Sequence, residues 1–300
     1  MRIVGHRGTP SCPQHPENSL QSIRAALQAG ADGVEVDVQA TVDGVLVLAH
    51  DADLGRVLGT GPGTGPVVAR STFAALRAHR LPNGTRITAL TEALDVAADR
   101  HAFVVTEVKP ETGGLAGSRT ARLLAALLDA RRLRRPGADR ISTSSSDLRT
   151  AAALAGHGTV SGAVIVRPHV DPGPVARRAR DHGLTDVHLH VAHVRRDPEV
   201  VGRVHALGMS VAVGIVDDPD EARLMARSGV DMLCTDDPAG LARRRAGRTR
   251  TGSAGWARAE VSHPDRGRCL HVDATRHQEE TWRAAPGSRQ PRSPASTGPC

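Results

Sequence analysis

Short apolar runs alternate with segments of helical periodicity along the first 246 residues, and this alternation constrains the fold more than any other feature. Strands that read as continuous apolar runs and are separated by helices are typical of a parallel sheet covered on its outer face. Eight runs fit this description. They lie at residues 3–5, 34–38, 103–107, 140–142, 162–166, 186–189, 210–215 and 231–234.

Eight strand–helix units predict an α/β fold, a closed (β/α)8 TIM barrel with insertions after the first two strands. We expect helices at residues 20–27, 71–78, 91–98, 118–132, 145–154, 174–181, 198–206 and 219–227. Asn18 or Ser19 is the expected cap of the first helix. A turn at residues 41–44 leads into an additional strand at 45–49. The alternative is a doubly wound open sheet, but no Gly-x-Gly-x-x-Gly motif follows the first strand.

The alternation ends near Ala246. Residues 247–300 are rich in Arg, Ser, Pro, Gly and Thr and have no sustained apolar period. We therefore predict a barrel domain at 1–246 and a disordered basic tail at 247–300. The net charge of +7 suggests nucleic-acid binding. Bases would have few aromatic side chains to stack on, because the chain has only 2 phenylalanines and 2 tryptophans and has no tyrosine. We expect no nucleic-acid partner, whereas a basic surface can steer an anionic small molecule.

The chain also lacks the features of several other protein classes. No stretch of about 18 uncharged apolar residues is present, so no membrane span is expected. The N-terminus lacks the order of a signal peptide, which favours a cytoplasmic protein. The four cysteines, Cys12, Cys234, Cys269 and Cys300, form no CxxC pair. We therefore predict neither a disulfide framework nor a zinc site, and Cys234 is expected to be a small core residue. The sequence does not indicate an oligomeric state.

Polar side chains end several of the predicted strands. They are His6 and Arg7 after the first strand, Glu35 and Asp37 in the second, His50 after the insertion strand, and Glu107 and Lys109 after the third. Because the C-terminal strand ends of a TIM barrel form one mouth, we expect these residues to meet there. Lys109 is the only lysine in a chain rich in arginine, which suggests a role that arginine cannot fill.

These residue types suit attack on a phosphodiester. Three carboxylates at one place repel one another unless they are protonated, paired or bridged by a cation. Oxygen ligands favour Mg²⁺ or Ca²⁺ over zinc. Two histidines can exchange protons near neutral pH, while Arg7 and Lys109 offer positive charge to an anionic oxygen. The alternative for each residue is an ordinary structural role, such as a pair between Glu35 and Arg7.

Several short motifs resemble, in order, those of the glycerophosphodiester phosphodiesterase family, a (β/α)8 barrel related to the phosphoinositide phospholipases C. They are His6-Arg7-Gly8, Pro16-Glu17-Asn18-Ser19, the segment from Gly30 to Val38, Thr41-Val42-Asp43-Gly44, His50-Asp51, Glu107-Val108-Lys109, and Gly229-Val230-Asp231 with Thr235-Asp236-Asp237-Pro238. The resemblance covers residues 2–240, which is the whole predicted barrel.

The resemblance implies hydrolysis of a glycerophosphodiester to sn-glycerol 3-phosphate and an alcohol. It also implies one divalent cation, Mg²⁺ or Ca²⁺. Carried over residue by residue, the resemblance implies a role for each of seven residues. The metal ligands are Glu35, Asp37 and Glu107, the acid–base pair is His6 and His50, and the phosphate contacts are Arg7 and Lys109.

The end of the seventh predicted strand departs from the family pattern. The family typically has Trp-Thr-Val-Asn where this chain has Gly214-Ile215-Val216-Asp217. In the family that tryptophan helps to form the wall of the substrate pocket. Its replacement means that the motifs do not specify which headgroup the substrate carries. A lysophospholipase D-type or other phosphodiesterase, including one that acts through a cyclic phosphate, is therefore one alternative. A non-catalytic binder of phosphate ligands, or a protein that acts through its tail, is another.

Overall fold

Eight parallel strands form a closed barrel, which confirms the predicted TIM-barrel fold. The computed structural model describes residues 1–12, 14–109, 116–157 and 161–249. The strands are β1 Arg2–Gly5, β2 Gly33–Ala40, β3 Leu46–Leu48, β4 Phe103–Val108, β5 Arg140–Ser145, β6 Ser161–Val166, β7 Asp186–His190, β8 Ser210–Gly214 and β9 Met232–Thr235. The short β3 runs antiparallel to β2, outside the barrel. Closure comes from β1, which pairs with both β2 and β9.

Helices follow the strands around the outside. They are α1 Leu20–Gln28, α2 Gly55–Leu58, α3 Phe73–Ala78, α4 Leu90–Ala98, α5 Ala116–Arg134, α6 Leu148–Leu154, α7 Pro172–Asp181, α8 Val191–Arg196, α9 Val200–His205, α10 Pro219–Arg227 and α11 Pro238–Thr249. The helix predicted at 145–154 begins later because Ser145 still belongs to β5 and Asp147 caps α6 by accepting the Thr150 N–H. Helices α2 and α8 were not predicted, because both are shorter than two turns and so show no helical period.

The end of the predicted barrel domain lies inside a helix. Helix α11 continues through Thr249, past the predicted boundary at 246. The remainder of the predicted tail, residues 250–300, lies outside the described residues. Among the helices that are described, none is both long and apolar enough to cross a membrane.

Alternation along the strands separates two apolar layers. On β2, Val34, Val36 and Val38 face outward and belong to the cluster formed with the surrounding helices. Glu35 and Asp37 alternate with them and therefore face the barrel interior. The interior floor is a smaller apolar cluster. It consists of Val4, Phe103, Val105, Ala212, Ile215, Met232 and Cys234. Cys234 is a buried free thiol, as predicted.

The loop from β1 to α1 is folded back over the mouth. Arg7 and Asn18 both have positive φ angles, 50° and 56°, and the Arg7 carbonyl accepts the Asn18 N–H at 3.0 Å. Of the two predicted caps it is Ser19 that begins α1, since its Oγ accepts the Ser22 N–H at 3.1 Å. Non-glycine residues in the left-handed region are disfavoured and cluster at functional sites. Because Ser19 caps the helix, the side chain of Asn18 does not serve as the cap.

Candidate active site

Three buried carboxylates converge at the C-terminal mouth of the barrel. Glu35 and Asp37 come from β2 and Glu107 from β4, and Asp37 and Glu107 are register partners. One oxygen from each residue lies within 4.8 Å of the others. Burial, followed by the charges of Asp37 and Glu107, raises the pKa of Glu35 well above its ordinary value. Burial also raises the pKa of Glu107, where Lys109 opposes the rise and Asp37 adds to it.

Two cationic side chains contact these carboxylates. The Lys109 ammonium lies 3.0 Å from Asp37 Oδ1 and 2.8 Å from Glu107 Oε1. Burial opposes its charge, yet the two carboxylates outweigh burial and hold the pKa of Lys109 above its usual value. Arg7 contributes its Nε at 3.1 Å from Asp37 Oδ2 and its backbone N–H to Glu35 at 3.0 Å. The five residues predicted to bind metal and phosphate therefore form one contiguous cluster.

The donor set fits a hard divalent cation. All three acidic residues offer oxygen, and they converge from two adjacent strands in a buried position. Mg²⁺ and Ca²⁺ bind oxygen ligands of this kind, whereas zinc sites use nitrogen or sulfur as well. A bound cation would also reverse the repulsion that raises the pKa of Glu35 and Glu107. The geometry does not distinguish Mg²⁺ from Ca²⁺.

Asn18 positions Asp37 within the cluster. Its amide Nδ2 donates to Asp37 Oδ2 at 2.8 Å, and its Oδ1 accepts the Asp37 backbone N–H at 3.1 Å. The sequence suggested only a helix-cap role for this residue. Its place in the Pro16-Glu17-Asn18-Ser19 motif was the signal that could have identified it.

His6 is buried beside β9 and is oriented by a carboxylate. Its Nδ1 lies 2.6 Å from Asp236 Oδ1. Because an ionised carboxylate can only accept, Nδ1 carries the proton in this pair. Asp217 in turn accepts the Asp236 backbone N–H at 2.7 Å and the Thr235 hydroxyl at 2.8 Å. Asp236 and Asp217 were not predicted to orient a histidine.

His50 has a similar partner from its own loop. Its Nδ1 lies 2.7 Å from Asp51 Oδ1, while Arg56 Nε donates to Asp51 Oδ2 at 2.6 Å. Burial disfavours the Asp51 carboxylate, but His50 and Arg56 lower the pKa of Asp51 to about 2. His50 is close enough to Glu107 for a positive imidazolium to favour the ionised form of that carboxylate. Both predicted histidines therefore lie at the mouth, each with an aspartate.

An ion-pair chain joins the two sides of the site. Arg56 donates through Nη1 and Nη2 to the Glu17 carboxylate at 2.9 and 2.7 Å, and Arg7 Nη1 donates to the same carboxylate at 3.1 Å. Burial disfavours the charged form of Glu17, but Arg7 and Arg56 lower the pKa of Glu17 to about 2. Through Asp51 and Glu17, Arg56 thus connects the environments of His50 and Arg7.

The segment Gly214–Asp217 at the end of β8, which differs from the family pattern, lies at the same mouth. Gly214 is the last residue of β8 and pairs in register with His190, so this position has no side chain of its own. Ile215 joins the apolar floor. Asp217 contacts the loop that carries Asp236, so the altered segment touches the support of His6.

Comparison with known proteins identifies the family. The model of the glycerophosphoryl diester phosphodiesterase family matches residues 6–240. A glycerophosphodiester phosphodiesterase of Caldanaerobacter subterraneus is 27% identical over 245 residues, which covers 79% of this chain and 94% of that relative. A probable glycerophosphodiester phosphodiesterase 1 of Mycobacterium tuberculosis is 30% identical over 254 residues, covering 79% and 89%.

Solved structures agree in fold. A putative glycerophosphoryl diester phosphodiesterase of Silicibacter pomeroyi has a TM-score of 0.68 at 26% identity, covering 81% of this chain and 92% of that one. A phosphodiesterase of Oleispira antarctica, solved with the product sn-glycerol-3-phosphate, has a TM-score of 0.68 at 24% identity, covering 84% and 97%. The matched residues span the barrel and its mouth, and the chain belongs to the glycerophosphoryl diester phosphodiesterase family.

Proposed function

We propose that this protein hydrolyses glycerophosphodiesters to sn-glycerol 3-phosphate and an alcohol, with a divalent cation held by Glu35, Asp37 and Glu107. The observation that carries the proposal is the convergence of these oxygens beside Arg7 and Lys109, at the mouth of a barrel of this family. Relatives named as glycerophosphodiester phosphodiesterases support the reaction class.

The phosphodiester monoanion is expected to bind where positive charge is concentrated. Lys109 and Arg7 each lie about 3 Å from the carboxylate cluster, which places two positive charges where the phosphoryl oxygens are proposed to bind. Arginine and lysine donate strong, charge-assisted hydrogen bonds to phosphate oxygens. The cation, when bound, supplies charge stabilisation at the phosphoryl oxygens and lowers the pKa of an oxygen nucleophile.

The two histidines are proposed to move the protons. One removes a proton from the attacking oxygen, and the other protonates the alkoxide that leaves phosphorus. Asp236 and Asp51 hold the Nδ1 sides of His6 and His50, so Nε2 is the atom of each imidazole that we propose transfers the proton.

The direct test is an assay of the purified protein on glycerophosphocholine and glycerophosphoethanolamine, with Mg²⁺, with Ca²⁺ and with a chelator. We expect sn-glycerol 3-phosphate only when a cation is present. His6→Ala and His50→Ala should each lower kcat by about 10²- to 10⁴-fold, the usual range for a proton-transfer group. The matched control is His157→Ala, because surface His157 also lies 2.9 Å from an aspartate, Asp129. Wild-type rates no higher than those of the His6 and His50 variants would refute the proposal.

The replaced segment at Gly214 favours a second candidate within the same chemistry, a lysophospholipase D-type or other phosphodiesterase. Without the tryptophan, a different headgroup or a lipid chain could be accommodated. Phosphorus NMR of a substrate panel separates the candidates, since a cyclic phosphate or a lysophosphatidate product would favour the second. Ligand binding without turnover on any substrate would instead indicate a non-catalytic binder.

A further inference from the structure

Ser144 carries a buried hydroxyl that the reaction described above does not use. Its side chain is 0% exposed, and Oγ has no hydrogen-bond partner within the part of the chain that the structure describes. Leaving a hydroxyl without a partner in a protein interior costs stability, so such groups in native proteins call for an explanation. The position of Ser144 beside the carboxylates provides one.

The hydroxyl faces the barrel interior at the level of the site. Ile141, of opposite parity on β5, belongs to the outer cluster with the helices, which places Ser142 and Ser144 on the inner face. Ser144 is the register partner of Glu107, as Asp37 is on the other side. Adjacent strands lie about 4.8 Å apart, so Ser144 is the next interior position after Glu107 around the mouth.

We propose that the Ser144 hydroxyl holds a water molecule in the shell of the divalent cation. This inference rests on the cation site of the proposed function. Three carboxylates leave a hard cation with several water ligands, and each such water needs hydrogen-bond acceptors. Arg7 and Lys109 are donors only and cannot fill this need. A serine hydroxyl can accept from the water, and its short side chain ends nearer the strand than the Glu107 carboxylate, which leaves room for the water.

The same strand offers a matched control. Ser142 is also fully buried on the inner face, but its Oγ lies 2.8 Å from Ser161 Oγ and 3.2 Å from Ser161 O. Ser142→Ala therefore removes a satisfied hydroxyl from the same environment. Ser144→Ala removes an unsatisfied one. In the cation-free protein we therefore expect a lower melting temperature for Ser142→Ala but not for Ser144→Ala.

The experiment measures Mg²⁺ and Ca²⁺ affinity by titration calorimetry on cation-free protein, together with thermal denaturation in chelator. Ser144→Ala should weaken cation binding about tenfold, the lower end for loss of an outer-shell contact, without lowering the melting temperature. Ser144→Cys, which keeps the size but hydrogen-bonds weakly, should behave similarly. Ser142→Ala should lower the melting temperature and leave cation affinity within about twofold, because it does not reach the cation's waters.

Three results would overturn the inference. The first is wild-type cation affinity in Ser144→Ala. The second is a fall in its melting temperature as large as that of Ser142→Ala, which would mark a structural hydroxyl. The third is unchanged cation affinity with weakened binding of sn-glycerol 3-phosphate, which would assign Ser144 to the phosphate. If the wild-type protein bound neither ion, the proposed cation site itself would fail, which is a distinguishable result.

Discussion

Replacing Glu17 by glutamine tests whether the ion-pair chain beside the site stabilises the fold. Glu17 is largely buried, and its carboxylate contacts both Arg7 and Arg56. Glutamine has nearly the same shape but no charge. The buried guanidinium of Arg7 and the partly exposed one of Arg56 would then face each other with no anion between them, which is costly because a buried charge needs a partner.

The size of the effect follows from the pKa of Glu17, which falls from 4.5 to about 2 in the folded protein. At about 1.4 kcal/mol per pKa unit, this corresponds to about 3 kcal/mol of stability. Because the folded-state pKa is the lower one, the stabilisation is complete above pH 4.5. It decreases as the pH falls from 4.5 toward 2, because the unfolded chain takes up the proton over this window while the folded protein still holds Glu17 ionised. The difference between wild type and Glu17→Gln should therefore shrink over that window.

The measurement is urea denaturation of the chelator-treated proteins at several pH values between 7 and 3. Glu92→Gln is the control, since Glu92 pairs with Arg77 at 2.8 Å but is about a third exposed. That pair should contribute no more than about 1 kcal/mol. A Glu17→Gln effect as small as that of Glu92→Gln at pH 7, or one that stays constant from pH 6 to pH 3, would refute the reasoning.

Three further changes have defined outcomes. Asp236→Asn should lower kcat at least tenfold with unchanged cation affinity, because His6 loses its orienting carboxylate, whereas Asp237→Asn, at the start of α11, should not; equal losses would exclude the positioning role. Arg56→Ala should lower kcat about tenfold or more and should also lower the melting temperature, because Glu17 loses one of its two cationic partners. Arg56→Lys should restore only part of the activity, since one ammonium cannot donate to both carboxylates. The raised pKa of Glu35 means that cation-free wild type loses stability as the pH rises above 4.5. Glu35→Gln should show a smaller loss in denaturant titrations at pH 5 and 8, the remainder coming from Glu107, and should not be stabilised by Mg²⁺ or Ca²⁺. A loss as large as that of the wild type would contradict the raised pKa of Glu35.

The sequence predicted the barrel and the mouth because both follow from short-range patterns. Alternation on β2 alone places Glu35 and Asp37 on the inner face, and the order of strand ends brings Glu107 and Lys109 beside them. The seven candidate residues all lie at this mouth, although their individual roles stay predictions. The cytoplasmic location and the disordered tail also stay predictions.

The supporting residues could not be derived in the same way. Asp236 is 230 positions from His6, and only the closure of β9 on β1 brings them together. Asn18 reads as a helix cap because local rules treat Asn and Ser alike, and the positive φ angle that turns it toward Asp37 depends on tertiary contacts. Side-chain partners set by barrel closure carry no periodic signal, so Asp236 could not be predicted as the partner of His6.

The charges at the mouth link cation binding to substrate binding. Three carboxylates face two cationic groups, Arg7 and Lys109, in a buried site, and the excess negative charge is consistent with the raised pKa of Glu35. In the proposed reaction a divalent cation would overcompensate this excess by one positive charge. A phosphodiester monoanion would then restore balance, and a buried cluster with balanced charge avoids much of the cost of desolvation. Each ligand therefore makes the site more favourable for the other, by the same free energy in both directions.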